Sequence, residues 1–211
     1  TNRVIKNTQE IILQKIINQK SKKLSANSNY YYRGSITHLQ RLELGETLQQ
    51  IYHEGIYKLI FGSDEYMWGS EYGREKIPKE YKQELKEKAK CFNVLGRSIN
   101  KRELMNEMLS NGVILSPTGF GELCFRHAEA WQLNRVLLCQ DLSHVEMLFP
   151  VEHEKNAVFC KSDFSDIGAK LKDLKEDSYR NNIAQNGKEQ WRKWISKPED
   201  IIYEGFDKYL V

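Results

Sequence analysis

The stretch SPTGFGELCFRHAE, Ser116–Glu129, decides how the rest of the chain is read. Val113, Ile114 and Leu115, just before it, form the short apolar run of a parallel strand covered on both faces. Pro117, Gly119 and Gly121 end that strand, and the glycines let backbone approach a ligand closely. A helix is expected from Glu122 to Leu133. The unpaired N–H groups of its first turn, with its dipole, favour an anion by about 0.3–1 kcal/mol per charge when exposed. Within that helix Glu122, Arg126 and Glu129 fall at i, i+4 and i+7 on one face, with Cys124, Ala128 and Trp131 opposite. The polar stripe is expected to line a cleft and the apolar stripe to pack on a sheet.

Outward from this junction, apolar runs alternate with amphipathic stretches. Strands are expected at Tyr30–Arg33, Ile56–Phe61, Cys91–Leu95, Val113–Ser116, Val136–Cys139 and Ala157–Cys160. Helices are expected at Leu39–His53, Lys79–Lys90, Lys101–Ser110, Glu122–Leu133 and Asp166–Leu174, with a short one near His144. This pattern defines an α/β fold, a single Rossmann-like domain whose parallel sheet of about six strands is flanked by helices. A leading helix over Val4–Ile17 and a linker occupy residues 1–29, the Rossmann-like domain residues 30–176, and C-terminal helices residues 177–211. In that last part Tyr179–Ile195 and Asp200–Leu210 are amphipathic, and Trp191, Trp194, Ile195 and Tyr203 are expected to pack them on the sheet. The connection Gly62–Pro78, rich in glycine and aromatics, reads equally as a lid over an acceptor or as a decorated surface loop.

The 211 residues suffice for one sizeable core, and 40% hydrophobic with 29% charged residues is ordinary globular composition. A net charge of +3 is too balanced to announce nucleic acid, although Lys20, Lys22 and Lys23 cluster after the first helix. No apolar run reaches the length of a membrane span, and the N-terminus lacks a signal-peptide pattern, so a cytosolic or cytosol-facing location is expected. Cys91, Cys124, Cys139 and Cys160 sit in or beside segments read as buried, with no CxxC pair, as packing thiols do. The histidines show no metal-ligand spacing, and Asp64-Glu65 is not a convincing DxD clamp, so no metal is expected. Neither GxGxxG after the first strand, nor GxxxxGK[ST], nor GxSxG occurs, which disfavours a dinucleotide dehydrogenase, a P-loop phosphotransferase and a nucleophile-elbow hydrolase.

The first junction, YYYRGSITHLQR at Tyr30–Arg41, repeats the logic of the fourth. A strand leads into Arg33-Gly34-Ser35, and Thr37 is a candidate N-cap before Leu39. In a 3-2-1-4-5-6 sheet, ligands bind beyond the strand ends where the order reverses, between strands one and four. That places Arg33, Ser35 and Thr37 opposite Gly119, Gly121, Glu122 and Arg126. An arginine fork suits a diphosphate. The competing reading makes Arg33 and Arg41 surface ion-pair residues and Glu122/Arg126 an i,i+4 bridge of about 0.3–0.5 kcal/mol. After the fifth strand, Asp141, Ser143 and His144 either touch a sugar or nucleotide or cap the short helix.

These residues resemble the nucleotide-sugar-binding half of GT-B glycosyltransferases. The nearest resemblance is to the protein O-glucosyltransferases and capsule-associated xylosyltransferases, with exostosin-like enzymes as cousins. YRGSITHLQR resembles the family's arginine-glycine-serine loop, and SPTGFGELCFRHAEAWQLNRVLLCQDLSH its donor-site strand, helix and following strand. NAVFCKSDFSDIGAKLKDL with IAQNGKEQWRKWI is similar to its closing segment. The resemblance spans Tyr30 to Leu210 and implies a sugar-nucleotide donor, UDP-linked, whose diphosphate meets Arg33, Ser35 and Arg126 and whose ribose meets Glu129. Gly34, Thr37, Ser116, Gly119, Phe120, Gly121, Glu122, Asp141 and Ser143 complete the donor-binding candidates.

Many retaining GT-B enzymes carry two glutamates separated by seven residues in this helix. Here six separate Glu122 from Glu129, which fits an inverting, metal-independent transfer to a hydroxyl of a glycan or protein. Inversion needs a general base; the family takes it from its other domain, and His38, Asp64 and Glu65 are candidates in this chain. The resemblance thus implies one domain of a larger enzyme, or a compact transferase in which Val4 to Asn29 replaces part of a second half. A non-catalytic nucleotide-sugar-binding or scaffolding domain is the alternative from another class. A nucleic-acid-binding Rossmann domain using the basic N-terminal end is a third.

Overall fold

The computed structural model describes residues 27–36, 39–51, 53–61, 66–69, 73–76, 79–118, 122–147 and 150–196. The expected helices Val4–Ile17 and Asp200–Leu210 lie outside the described residues. So do Thr37, His38, Asp64, Glu65, Gly119, Phe120, Gly121 and Tyr203.

The strands are β1 (Tyr30–Ser35), β2 (Gly55–Ile60), β3 (Tyr66–Gly69), β4 (Gly73–Lys76), β5 (Val113–Ser116), β6 (Val136–Gln140) and β7 (Val158–Cys160). The helices are α1 (Gln40–Gln50), α2 (Lys79–Cys91), α3 (Lys101–Leu109), α4 (Phe125–Gln132), α5 (Ile167–Asp173) and α6 (Asp177–Ser196). Five strands form one parallel sheet in the order β2-β1-β5-β6-β7. β3 and β4 pair separately as an antiparallel hairpin inside the segment Gly62–Pro78, an element the sequence reading did not foresee.

The sheet is covered on both faces, which explains its unbroken apolar runs. Alternate residues supply two cores. On one face Tyr30, Tyr32, Val113, Leu115, Val136 and Leu138 meet Leu44 and Leu48 of α1, Leu85 of α2 and Leu171 of α5. On the other Tyr31, Ile114, Leu137 and Cys139 meet Met105 and Met108 of α3 and Ala130 and Trp131 of α4. Trp131 is fully buried and its indole N–H donates to the Asn156 carbonyl at 2.8 Å. Gly187 lets α6 sit against it, because a Cβ there would lie 2.4 Å from the Trp131 ring. As expected, Trp191 of α6 packs against this second core.

The expected strand Cys91–Leu95 is a single parallel bridge, Leu59 to Leu95, at the β2 edge. The difference comes from the end of α2, which runs on to Cys91. Asn93 then takes a left-handed φ of 50°, its N–H bonds the Lys90 carbonyl, and the Val94 N–H bonds that of Ala89. Asn134, with φ 58°, ends α4 by the same six-to-one closure, Arg135 N–H to Ala130 carbonyl at 2.9 Å. Both asparagines stop a helix where the chain must turn back into the sheet. The helix expected near His144 is a turn, in which the Asp141 carboxylate accepts the Ser143 N–H at 2.8 Å.

Candidate functional site

The order β2-β1-β5-β6-β7 puts the reversal of strand order between β1 and β5, where a parallel sheet binds its ligands. The two strands pair only at Tyr30 with Val113 and Tyr31 with Ile114. Beyond that, β1 continues to Ser35 and β5 to Ser116, and the two ends are joined through side chains. Arg126 of α4 donates to the Arg33 carbonyl at 2.8 Å. Arg41 of α1 donates to the carbonyls of Ser35, Pro117 (3.2 Å) and Thr118 (3.1 Å). Both guanidinium carbons lie near the buried Tyr32 ring, 5.5 Å away for Arg41 and 5.9 Å for Arg126. The two junctions singled out in the sequence therefore form one continuous strand-end surface.

Arg33 faces α3. Its Nε and Nη2 donate to the two Glu107 carboxylate oxygens, each at 3.0 Å, and its Nη1 donates to the Arg97 carbonyl. The Tyr31 hydroxyl donates to Glu107 as well, at 2.8 Å. Burial alone would raise the Glu107 pKa, but the hydrogen bonds from Arg33 and Tyr31 hold it below the ordinary carboxylate value. Glu107 left no signature in the sequence beyond its place on the sheet-facing side of a helix. Gly34 is needed where it stands, since a Cβ would lie 2.4 Å from the Tyr32 hydroxyl oxygen. Ser35 is exposed at the strand end.

The helix of the opening stretch begins at Phe125, three residues later than the spacing suggests. Cys124, with extended φ and ψ of −129° and 164°, is its N-cap, and Glu122 and Leu123 form a bend before it. Glu122 is thus not on the face of Arg126 and Glu129. It lies 3.5 Å from His144, both side chains being exposed. Arg126 pairs instead with Glu129 at 2.8 Å, an i,i+3 bridge in place of the considered Glu122/Arg126 pair. Among the described residues Glu129 Oε1 carries no hydrogen bond. The buried side of α4 is His127, Ala130 and Trp131 rather than Cys124, Ala128 and Trp131.

Ser116 and the first turn of α4 meet around His127, which is buried. The Ser116 hydroxyl oxygen lies 3.2 Å from His127 Nδ1 and 3.0 Å from Cys124 Sγ, and Cys124 Sγ lies 3.4 Å from the same nitrogen. Burial pushes the Cys124 thiol up, but His127, Ser116 and the Arg126 amide together bring it down to about 7. Burial drives Cys139 far up and Cys160 to about 12. Cys91 is exposed, contrary to its reading as a packing thiol, because the last turn of α2 points it outward. Alkylation mapped by mass spectrometry is therefore expected to show Cys124 labelling with an inflection near pH 7 and Cys139 and Cys160 remaining unlabelled in the folded protein. An inflection at the ordinary thiol value would mean that the cluster does not hold the thiolate.

Asp141 and Ser143 line a neighbouring cleft of about 620 Å³ at the ends of β6 and β7, with Pro150, His153, Lys161 and Asp166. The hydrogen bonds from Ser143 hold the exposed Asp141 carboxyl below its ordinary value. Gln140 connects this cleft to the β5 end by accepting the Thr118 N–H at 2.8 Å. Among the described residues, no helix is long and apolar enough to cross a membrane.

Solved structures share this architecture. Sucrose-phosphate synthase from Thermosynechococcus elongatus matches 92% of this chain and 47% of its own, with TM-score 0.56 and 12% identity. HepE from Anabaena, solved with UDP-glucose, matches 85% of this chain and 49% of its own, with TM-score 0.56 and 13% identity. TarM from S. aureus, solved with fondaparinux, α-GlcNAc-glycerol and UDP, matches 90% of this chain and 37% of its own, with TM-score 0.56 and 12% identity. The likeness is one of fold: a parallel five-stranded sheet flanked by helices. The chain spans half or less of the length of these three proteins. No protein-family model and no curated protein matches it.

Proposed function

We propose that this chain is the donor-binding domain of a glycosyltransferase and that its ligand is a nucleoside diphosphate sugar, UDP-linked. The observation that carries the reading is the joining of the ends of β1 and β5 by Arg41 at the reversal of strand order. Ser35 and the start of α4 offer hydrogen-bond donors to a diphosphate there. In this reading Glu129 Oε1, which carries no hydrogen bond among the described residues, accepts from ribose hydroxyls, and Asp141 and Ser143 meet the donor from the neighbouring cleft. Arg33 and Arg126 contribute by holding β1 against α3 and α4, so their role at the diphosphate is to shape its surroundings as much as to touch it. The fold shared with proteins solved in complex with UDP and UDP-glucose supports the nucleotide class.

The reaction we assign is transfer of the sugar to a hydroxyl of a glycan or protein, without a metal and with inversion. Inversion rests on the sequence spacing alone, six residues between Glu122 and Glu129, since Glu122 stands on the bend before α4 and not in the helix with Glu129. The resemblance to protein O-glucosyltransferases and capsule-associated xylosyltransferases supports the acceptor class, and a second domain is the expected source of the base. Calorimetric titration with UDP, GDP and their sugars, followed by a donor-hydrolysis assay, tests the reading. UDP and a UDP-sugar are expected to bind. Binding without turnover would favour a non-catalytic nucleotide-sugar-binding domain, and absence of nucleotide binding would refute both.

A further inference from the structure

We propose that Arg41 is a positioning residue of the donor site. It is a buried cation that ties the two strand-end loops into one cradle, and the diphosphate answers its charge. The proposal rests on the nucleotide-sugar reading above. Three arginines converge on the end of β1, and two are neutralised within the protein, Arg33 by Glu107 and Arg126 by Glu129. Arg41 differs. Only 7% exposed, it spends its three guanidinium nitrogens on the carbonyls of Ser35, Pro117 and Thr118. Among the described residues no carboxylate pairs with it.

A carbonyl accepts a hydrogen bond but leaves the charge uncancelled, and a buried cation without a counter-ion is unfavourable. The arrangement is nonetheless held firmly. The Tyr57 hydroxyl donates to the Arg41 carbonyl at 2.7 Å, and the Tyr32 ring lies beside the guanidinium. The unneutralised charge sits where the β1 and β5 loops meet, and a ligand with two adjacent phosphates supplies what is lacking there. Because its nitrogens already bond the loop carbonyls, Arg41 acts on the ligand through loop position and through its field.

Titrations of the intact chain with UDP and with uridine, across a range of salt concentrations, test this in Arg41→Gln and Arg41→Lys. In Arg41→Gln, UDP binding is expected to weaken by about tenfold or more and to lose part of its salt dependence, while uridine binding stays within about twofold. Arg41→Lys keeps the charge without the fork and is expected to keep the salt dependence at reduced UDP affinity. Should Arg41→Gln fail to fold, a preferential loss of UDP over uridine in Arg41→Lys is the expected result. UDP affinity unchanged within about twofold, or UDP and uridine lost in equal proportion, would overturn the proposal. A wild-type chain that binds neither UDP nor GDP would instead sink the nucleotide-sugar reading itself.

Discussion

Replacing Trp131 by alanine is expected to cost about 3–5 kcal/mol of stability, the range for truncating a fully buried large aromatic. The side chain is central to the second core, its indole N–H is bonded to the Asn156 carbonyl, and α6 is seated on it at Gly187. The substitution removes apolar contacts, opens a cavity beneath α6 and leaves that carbonyl without its donor. For a domain of this size the loss corresponds to a fall in Tm on the order of 10 °C. Thermal unfolding followed by circular dichroism measures it. A fall of less than about 2 °C would show that α6 and the sheet are held together by something other than this residue.

The second large effect is expected from Glu107→Ala. Arg33 is nearly buried and bonds both carboxylate oxygens, and Tyr31 donates to the same group. Removing the acceptor leaves the Arg33 cation without its counter-ion, bonded only to the Arg97 carbonyl, and the Tyr31 hydroxyl without a partner, for about 3 kcal/mol, the lower end of the range for breaking a buried pair, because Glu107 is partly exposed. Glu107→Gln keeps an acceptor and is expected to lose less. The pH dependence has a definite sign. Burial works against the charged carboxylate, but Arg33 and Tyr31 outweigh it and depress the folded pKa below the ordinary 4.5. The resulting stability is fully present above that unfolded value and is lost as pH falls through the folded pKa. Denaturant titrations below pH 4.5 should show a steeper decline for wild type than for Glu107→Ala. Parallel declines would remove Glu107 from the acid response.

Much of this fold is legible in the sequence because each central strand is a short apolar run between helical patterns. Val113–Ser116 is recovered to the residue, and β1, β2, β6 and β7 to within two residues at either end. The failures share a cause: a local hydrogen bond decided what periodicity could not. Asn93 ends α2 and leaves Leu95 a single bridge, and Cys124 caps α4, so the polar stripe read from Glu122 starts on a bend. The β3–β4 hairpin escaped because its strands are short and hold glycine at the turn side rather than a long alternating run.

The candidate site was legible in position more than in mechanism. YRGS and SPTG mark the two strand ends, and the strand order brings them together. A sequence does not say where an arginine's fork will point, however. Arg33, Arg41 and Arg126 are the residue type a diphosphate prefers, yet two of them hold carboxylates of α3 and α4, and the third holds main-chain carbonyls. Glu107, which organises Arg33, looks like any other helical glutamate until β1 and α3 are packed. Tyr32 likewise reads as one tyrosine of three in a row, whereas its ring lies near two guanidinium carbons, 5.5 Å from that of Arg41 and 5.9 Å from that of Arg126.

The central claim is that a nucleoside diphosphate binds across the ends of β1 and β5. Hydrogen exchange of the intact chain, with and without saturating UDP, tests it most directly. UDP is expected to slow exchange in peptides covering 33–36 and 116–118 and the first turn of α4, with little change in α6. No UDP-dependent protection at those strand ends, or protection confined to another part of the surface, would contradict the account.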